Sequence, residues 1–115
     1  MNRWKDIYRQ LTSDGFDVYS PGQHEGECLA PYVVVKDGGG SQFGTFSSTR
    51  NLYDILCYVP KDHFSELESF VSSVEKSMKA LFPMIRPTHF KTASFYDDTV
   101  RGHMVSVQYI NYRKF

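Results

Sequence analysis

The segment from Arg50 to Val59 constrains the fold most strongly, because it has the pattern of a β-strand that is apolar on both faces. Successive side chains of a strand point to opposite sides of a sheet. One face would carry Tyr53, Ile55, Cys57 and Val59, and the other would carry Leu52, Leu56 and Tyr58. One layer of helices covers only one face of a sheet. The second face therefore needs another layer or a neighbouring subunit.

Helical periodicity occurs on both sides of this strand. Near the N-terminus, four apolar residues fall at the spacing of one helical face, namely Trp4, Ile7, Tyr8 and Leu11. A longer helix is predicted after the Pro60-Lys61-Asp62 break, with Asp62 as its N-cap or, as an alternative start, with Ser65 and Glu68 at capping-box spacing. Its apolar face would consist of Leu67, Phe70, Val71, Val74, Met78, Leu81 and Phe82, and Pro83 would end it.

Three further strands are predicted, at Phe16 to Tyr19, Pro31 to Val35 and Met104 to Tyr109. In the last of these, valines alternate with polar residues, so we expect Val105 and Val107 to face the longer helix. The sequence therefore predicts a single α+β domain over residues 1–115, in which a mainly antiparallel or mixed β-sheet packs against two α-helices.

The segment from Asp37 to Thr49 has the composition of a flexible arm between two strands. Its glycines, including Gly38 to Gly40, and its serines have little side chain to bury, and Phe43 and Phe46 are its only large apolar residues. A long Gly-rich loop inside a small domain is usually either functional or disordered. We expect an arm that is ordered on assembly or, as the alternative, a disordered hairpin tip.

Composition argues against several classes of function. The 115 residues carry 13 basic and 13 acidic side chains, so no net charge attracts DNA or acidic lipid. Apolar runs such as Tyr32 to Val35 are too short to cross a bilayer, and no leader pattern precedes them, so a soluble, unexported protein is predicted. The eight Tyr and nine Phe exceed what a small core readily buries, which indicates protein interfaces.

No group of residues forms a recognisable catalytic or metal-binding motif. The loop from His24 to Cys28 contains three kinds of metal ligand, but neither CxxC nor HExxH spacing completes a site, and solvated loop charges are the simpler interpretation. Asp97 and Asp98 are expected to stabilise a turn through local backbone N–H groups. Cys28 and Cys57 are expected to be free thiols. We therefore predict no catalytic residue, no cofactor and no metal ligand.

Seven aromatic and basic residues are candidates for contacts with other chains. They lie in the arm, in the strand that follows it and at the C-terminal tip, where a terminal strand could meet another subunit. They are Phe43, Phe46, Arg50, Tyr53, Tyr109, Tyr112 and Arg113. Aromatic and arginine side chains are enriched in protein interfaces, so this set is typical of an assembly subunit.

The order of the predicted elements resembles that of the tail terminator, or tail completion, proteins of tailed bacteriophages. An amphipathic helix precedes the strand at Pro31 to Val35, and the strand at Leu52 to Pro60 leads directly into the helix at Leu67 to Val74. The turn at Tyr96 to Thr99 then feeds the strand at Met104 to Tyr109. The resemblance covers nearly the whole chain and depends mainly on the order of elements and on the strand-Pro-helix junction.

The resemblance implies a structural virion protein that is not an enzyme. Such a subunit would form a hexameric ring on the last ring of the tail tube, end tube polymerisation and present the surface that joins the head. Its partners would be further copies of itself, the tail tube protein and a head-completion or connector protein. DNA would only pass through the lumen of the ring, and no cofactor or membrane would be involved.

The resemblance also implies a location, namely the head-proximal end of a virion tail that is assembled in the bacterial host cytoplasm. Prophage and phage-tail-like bacteriocin versions would look the same in sequence. Three other functions stay open. A head-completion protein is a similar small ring-forming module, and a monomeric protein-binding module would explain the aromatic residues equally well. A metal-dependent enzyme would require His24, Glu27, Cys28 and a further histidine to converge.

Overall fold

The helices and strands of the computed structural model follow the predicted order, with two short strands added before the last one. The structure describes residues 3–43 and 48–114. The α-helices are α1 (Trp4–Ser13) and α2 (Leu67–Met78), and 3-10 segments at Lys61–Glu66 and Lys79–Leu81 flank α2. The strands are β1 (Val18–Tyr19), β2 (Tyr32–Phe43), β3 (Ser48–Pro60), β4 (Arg86–Lys91), β5 (Phe95–Asp97) and β6 (Gly102–Lys114). The prediction of an α+β fold is confirmed.

The strands of the described ranges form one mixed sheet in the order β1-β2-β3-β6-β4, and β5 pairs with one end of β6. β1 runs parallel to β2, whereas the pairs of β3 with β2 and with β6 are antiparallel. β3 pairs with β6 from Ser48 to Pro60, so it lies at the centre of the sheet over its whole length. Both faces of β3 must therefore be covered if its apolar side chains are to leave water.

The main core lies between one face of the sheet and the two α-helices. From the sheet it contains the alternate residues of β3 that begin at Tyr53 and end at Val59, and from α1 it contains Ile7 and Leu11. Val105 and Val107 belong to the same cluster as Val74 of α2, so their predicted inward orientation is confirmed. Helical spacing and strand alternation thus place their apolar faces against each other.

The opposite face of the sheet has a second, smaller core that the chain itself covers. Cys28, which lies between β1 and β2, packs there against Tyr32, Tyr58 and Met104. Gly102 allows this close packing, because a Cβ at that position would lie 2.9 Å from the carbonyl oxygen of Val59 and 3.0 Å from the Cβ of Cys28. The segment between β1 and β2 therefore supplies a partial second layer at this end of β3.

The prediction of a long flexible loop from Asp37 to Thr49 is wrong for most of its length. β2 continues to Phe43 and β3 begins at Ser48, with a register shift between Asp37 and Gly40. Only residues 44–47 of this segment lie outside the described part of the chain. Glycines are disfavoured in strands, but a bulge tolerates them and the pairing of β3 with β6 provides a template for β2.

Two further differences concern the longer helix and the region after it. The chain enters α2 through the 3-10 segment at Lys61–Glu66, which has no side-chain cap, so the expected capping role of Asp62 is not found. Phe82 was expected on the buried face of this helix, but the helical segments end at Leu81 and Phe82 is 61% exposed. β4 and β5 were not predicted, because Pro87 and a register shift interrupt the alternation of β4.

Candidate interaction surface

Two of the seven candidate interface residues are buried inside the subunit. Tyr53 is 0% exposed and Tyr109 is 3% exposed, and both belong to the main core beneath the helices. They form a cross-strand pair between β3 and β6, on the face that packs against the helices. The prediction that these two tyrosines are free to contact another chain is therefore wrong for the subunit as it is folded here.

A hydrogen bond to its hydroxyl explains why a tyrosine is tolerated at the buried position 53. The hydroxyl of Tyr53 accepts a hydrogen bond of 2.8 Å from the backbone N–H of Arg3, immediately before α1. Burial raises the pKa of Tyr53, and the hydrogen bond from Arg3 opposes that shift. A buried hydroxyl needs a polar partner, and Arg3 supplies it. The same contact fixes the start of α1 over the sheet.

The other described candidates lie at one end of the sheet. Phe43 pairs with Ser48, Arg50 pairs with Tyr112, and Thr49 pairs with Arg113 in the backbone register of β2, β3 and β6. Phe46 lies outside the described residues. The backbone therefore brings Phe43, Arg50, Tyr112 and Arg113 together in one three-stranded segment, residues 40–43, 48–51 and 111–114. This segment takes the place of the predicted flexible arm, and from here on the name arm refers to it alone.

The arm extends beyond the helices. At about 3.3 Å per residue, the 13 residues of β3 span about 43 Å, whereas the 12 residues of α2 span about 18 Å. Among the side chains that the structure describes, the main core reaches the cross-strand pair of Tyr53 and Tyr109, and one residue of each strand separates this pair from the arm. The molecule is correspondingly elongated, with dimensions of 48 × 25 × 23 Å.

One edge of β2 is open beside the arm. β1 pairs only with Val33 and Val34, and the indole N–H of Trp4 donates a 2.7 Å hydrogen bond to the carbonyl oxygen of Val35. Beyond that point no strand of the described ranges pairs with the outer edge of β2. An open strand edge presents backbone N–H and C=O groups that a strand of another chain can pair with.

A groove of about 900 Å³ lies between α2 and β4, at the edge of the sheet opposite to β1. Its floor is apolar and consists of the buried side chains of Met78, Ile85 and Tyr109. Phe82 stands at its rim, with the guanidinium carbon of Arg86 5.6 Å from the centre of its ring. A groove with an apolar floor and an exposed aromatic rim is suited to side chains of another polypeptide.

The charges at the rim of this groove are mostly positive. Glu75 forms an ion pair with Lys91 of β4, with 3.2 Å between the carboxylate oxygen and Nζ. Lys76 and Lys79 are exposed, and neither forms an ion pair within residues 3–43 and 48–114. The groove therefore favours an apolar group that is accompanied by negative charge.

Sequence reasoning missed most of the large apolar residues that the fold exposes. These residues are Leu29, Phe64, Phe82, Met84, Phe90, Phe95 and Tyr96. The only sequence signal for these exposed residues was the excess of aromatic residues in the composition. In a short strand, periodicity does not distinguish an exposed aromatic side chain from a buried one. Of these residues, Phe82 lines the groove, and a large exposed apolar side chain at a groove is typical of an interaction site.

The segment between β1 and β2 forms a well-packed loop on the second face of the sheet. The imidazole of His24 stacks on Tyr32 with ring centres 3.9 Å apart, and Tyr32 stacks on Tyr58 at 4.6 Å. Tyr19 packs edge-on against both His24 and Tyr32. His24 thus has a packing role, which the sequence analysis did not predict.

Within this loop, Leu29 is 80% exposed. Its neighbour Cys28 is buried, and the backbone N–H of Cys28 donates a 2.6 Å hydrogen bond to the carbonyl oxygen of Val100. Glu25 and Glu27 are also exposed and form no ion pair within the described ranges. The loop therefore presents one apolar side chain and two carboxylates from an anchored backbone.

The two thiols are poor nucleophiles. Burial raises the pKa of Cys28 to about 11 and that of Cys57 to about 12, so both remain protonated at neutral pH. They are free, and they belong to the cores on opposite faces of the sheet, so a disulfide between them would require the backbone to move.

Asp97 and His24 likewise have structural contacts. Asp97 accepts a 3.0 Å hydrogen bond from the backbone N–H of Thr99, which is the turn role predicted for it. Within the described residues, no three His, Cys, Asp or Glu side chains lie close enough together to hold a metal ion. His24 and Cys28 pack in the loop, and they are not part of a ligand set.

The comparisons with known proteins do not add to this description. No protein-family model matches the sequence, and a search of curated proteins found no match. In the described part of the chain, neither α-helix is long and apolar enough to cross a bilayer.

Proposed function

We propose that this protein is a structural subunit of a bacteriophage-type tail, a tail terminator that caps the tail tube as a hexameric ring. In this proposal the ring ends tube polymerisation and offers the surface to which a head-completion or connector protein binds. The subunit works by shape and contact and carries out no chemical step. Its location is the head-proximal end of the tail.

The observation that carries the proposal is the arm. Three paired strands extend past the helices with one edge of β2 open, and a small monomeric domain gains little from such an extension. In a closed ring, each subunit contacts its neighbours through two different surfaces. The groove between α2 and β4 supplies one of these surfaces, and the arm supplies a separate surface for the contact with the tube.

A ring cap ends growth by removing the template for the next tube ring. Its lower surface matches the last tube ring, and its upper surface offers no copy of the tube surface. We therefore expect particles that lack this protein to have overlong tails without heads. Electron microscopy of particles assembled with and without the gene measures both properties directly.

Each outcome of that experiment has a definite meaning. Overlong, headless tails that are corrected by supplying the gene support the terminator function. Tails of normal length that fail to join heads would instead favour a head-completion protein. Tails of normal length with heads attached would contradict both.

A further inference from the structure

We propose that the groove between α2 and β4 is a docking site for a second copy of this chain, and that its occupant is the loop around Leu29. The inference deepens the proposed function, on which it rests, by assigning the contact that joins neighbouring subunits of the ring. It joins two different surfaces of the subunit, a loop on the second face of the sheet and the groove beside α2, so the contact is head-to-tail.

The groove is suited to a protruding side chain better than to an added strand. β4 is an edge strand, but Pro87 lacks a backbone donor and the register of β4 shifts between Pro87 and Lys91. Proline and bulges are devices that block strand addition at an edge. The exposed ring of Phe82 at the rim of the groove instead offers an apolar surface that an aliphatic side chain can cover.

The loop supplies such a side chain in a fixed position. Leu29 projects from the surface next to Cys28, which is held by its backbone hydrogen bond to Val100. The stack of His24 on Tyr32 holds the other end of the loop. A loop that is ordered before binding loses less entropy when it docks, so even one apolar side chain can contribute to affinity.

Charge complementarity selects this loop as the occupant. Glu25 and Glu27 flank the apolar side chain on the loop, and Lys76 and Lys79 flank the apolar floor of the groove. None of these four charges has an ion-pair partner within the described part of its own subunit. Docking would pair two carboxylates with two ammonium groups at the rim, where such pairs mainly set register and specificity.

Charge reversal tests the assignment without altering the core. One variant carries Lys76→Glu and Lys79→Glu, and the other carries Glu25→Lys and Glu27→Lys. Each variant alone should lose self-association by roughly ten- to hundredfold, because like charges then meet at the contact. An equimolar mixture should associate again, because each reversed surface now faces a complementary one on the other variant.

Sedimentation velocity at millimolar protein and low salt measures these associations, and thermal melting verifies that every variant is folded. A control with Lys5→Glu and Lys61→Glu changes the charge equally at exposed positions outside the groove and should associate like the original protein. Leu29→Ser should weaken association by roughly tenfold, because it removes the apolar contact and leaves the charges in place.

Three results would overturn the inference. The first is an original chain that stays monomeric under these conditions, and the second is charge variants that associate normally. The third is a mixture that fails to recover. If the charge variants associate normally but no longer end tails, the groove binds the tail tube protein instead. Normal tails in the absence of the gene would contradict the proposed function alone, since the mixing experiment decides the docking contact independently.

Discussion

Replacing Ile55 with Asp is expected to unfold the domain. Ile55 is fully buried at the centre of β3, where Val35 pairs with it on one side and Val107 on the other, and the helices cover this face. The change removes a buried aliphatic side chain, which typically costs about 2–5 kcal/mol, and places a carboxyl group in its position at a further cost. Domains of this kind have a net stability of roughly 5–15 kcal/mol, so most or all of it would be lost.

Chemical denaturation measured by tyrosine and tryptophan fluorescence provides the free energy of unfolding. The matched control is Leu56→Asp, one residue further along the same strand on the opposite face, where the side chain is only partly buried. We expect the control to lose clearly less stability. The loss in the Ile55 variant should also be smaller at pH 4 than at pH 7, because burial raises the pKa of the new carboxyl and the protonated form is favoured at low pH. Equal losses in both variants would contradict the assignment of the two faces.

Shortening the arm should abolish tail completion without unfolding the subunit. Gly40 and Asn51 are cross-strand partners, so residues 41–50 can be replaced by Asn-Gly, which closes a two-residue hairpin turn at that pair. The replacement leaves in place the cross-strand pair of Tyr53 and Tyr109, which belongs to the main core. We therefore expect a melting temperature within a few degrees of the original. As the functional result, the proposed function predicts overlong tails like those expected without the gene.

Two measurements on the shortened protein separate a folding defect from a functional one. Near-ultraviolet circular dichroism reports the packing of Tyr53 and Tyr109 next to the arm, and it should be unchanged. Electron microscopy then reports tail length and head attachment in particles that contain only the shortened protein. Normal, head-bearing tails in those particles would mean that the arm is not part of the capping surface.

The sequence predicts the centre of this fold well and its periphery poorly. The two apolar faces of β3, the inward side of Val105 and Val107 and both helices follow from local periodicity, which packing then reinforces. The extension of β2 to Phe43 depends instead on β3 and β6 as partners distant in sequence. Glycine-rich composition predicts a loop there, because propensity carries no information about a paired neighbour.

The candidate surface was predicted only in part, for a related reason. Aromatic residues in strands are found both in cores and at interfaces, and sequence alone does not distinguish Tyr53, which is buried, from Phe90, which is exposed. The groove beside α2 depends on where Phe82 leaves the helix, and two prolines following it obscure that boundary. No sequence pattern singled out Leu29, whose exposure becomes evident only in the structure, next to the anchored Cys28.

The most direct test of the capping function is to add the purified protein to growing tail tubes. The tubes are polymerised from a purified tail tube protein, which the proposed function assigns as the partner, and their length distribution is measured by electron microscopy before and after addition. We expect growth to stop on addition, with a ring visible at one end of each tube and with heads able to join that end. Tubes that continue to lengthen at the same rate and carry no ring at either end would contradict the account.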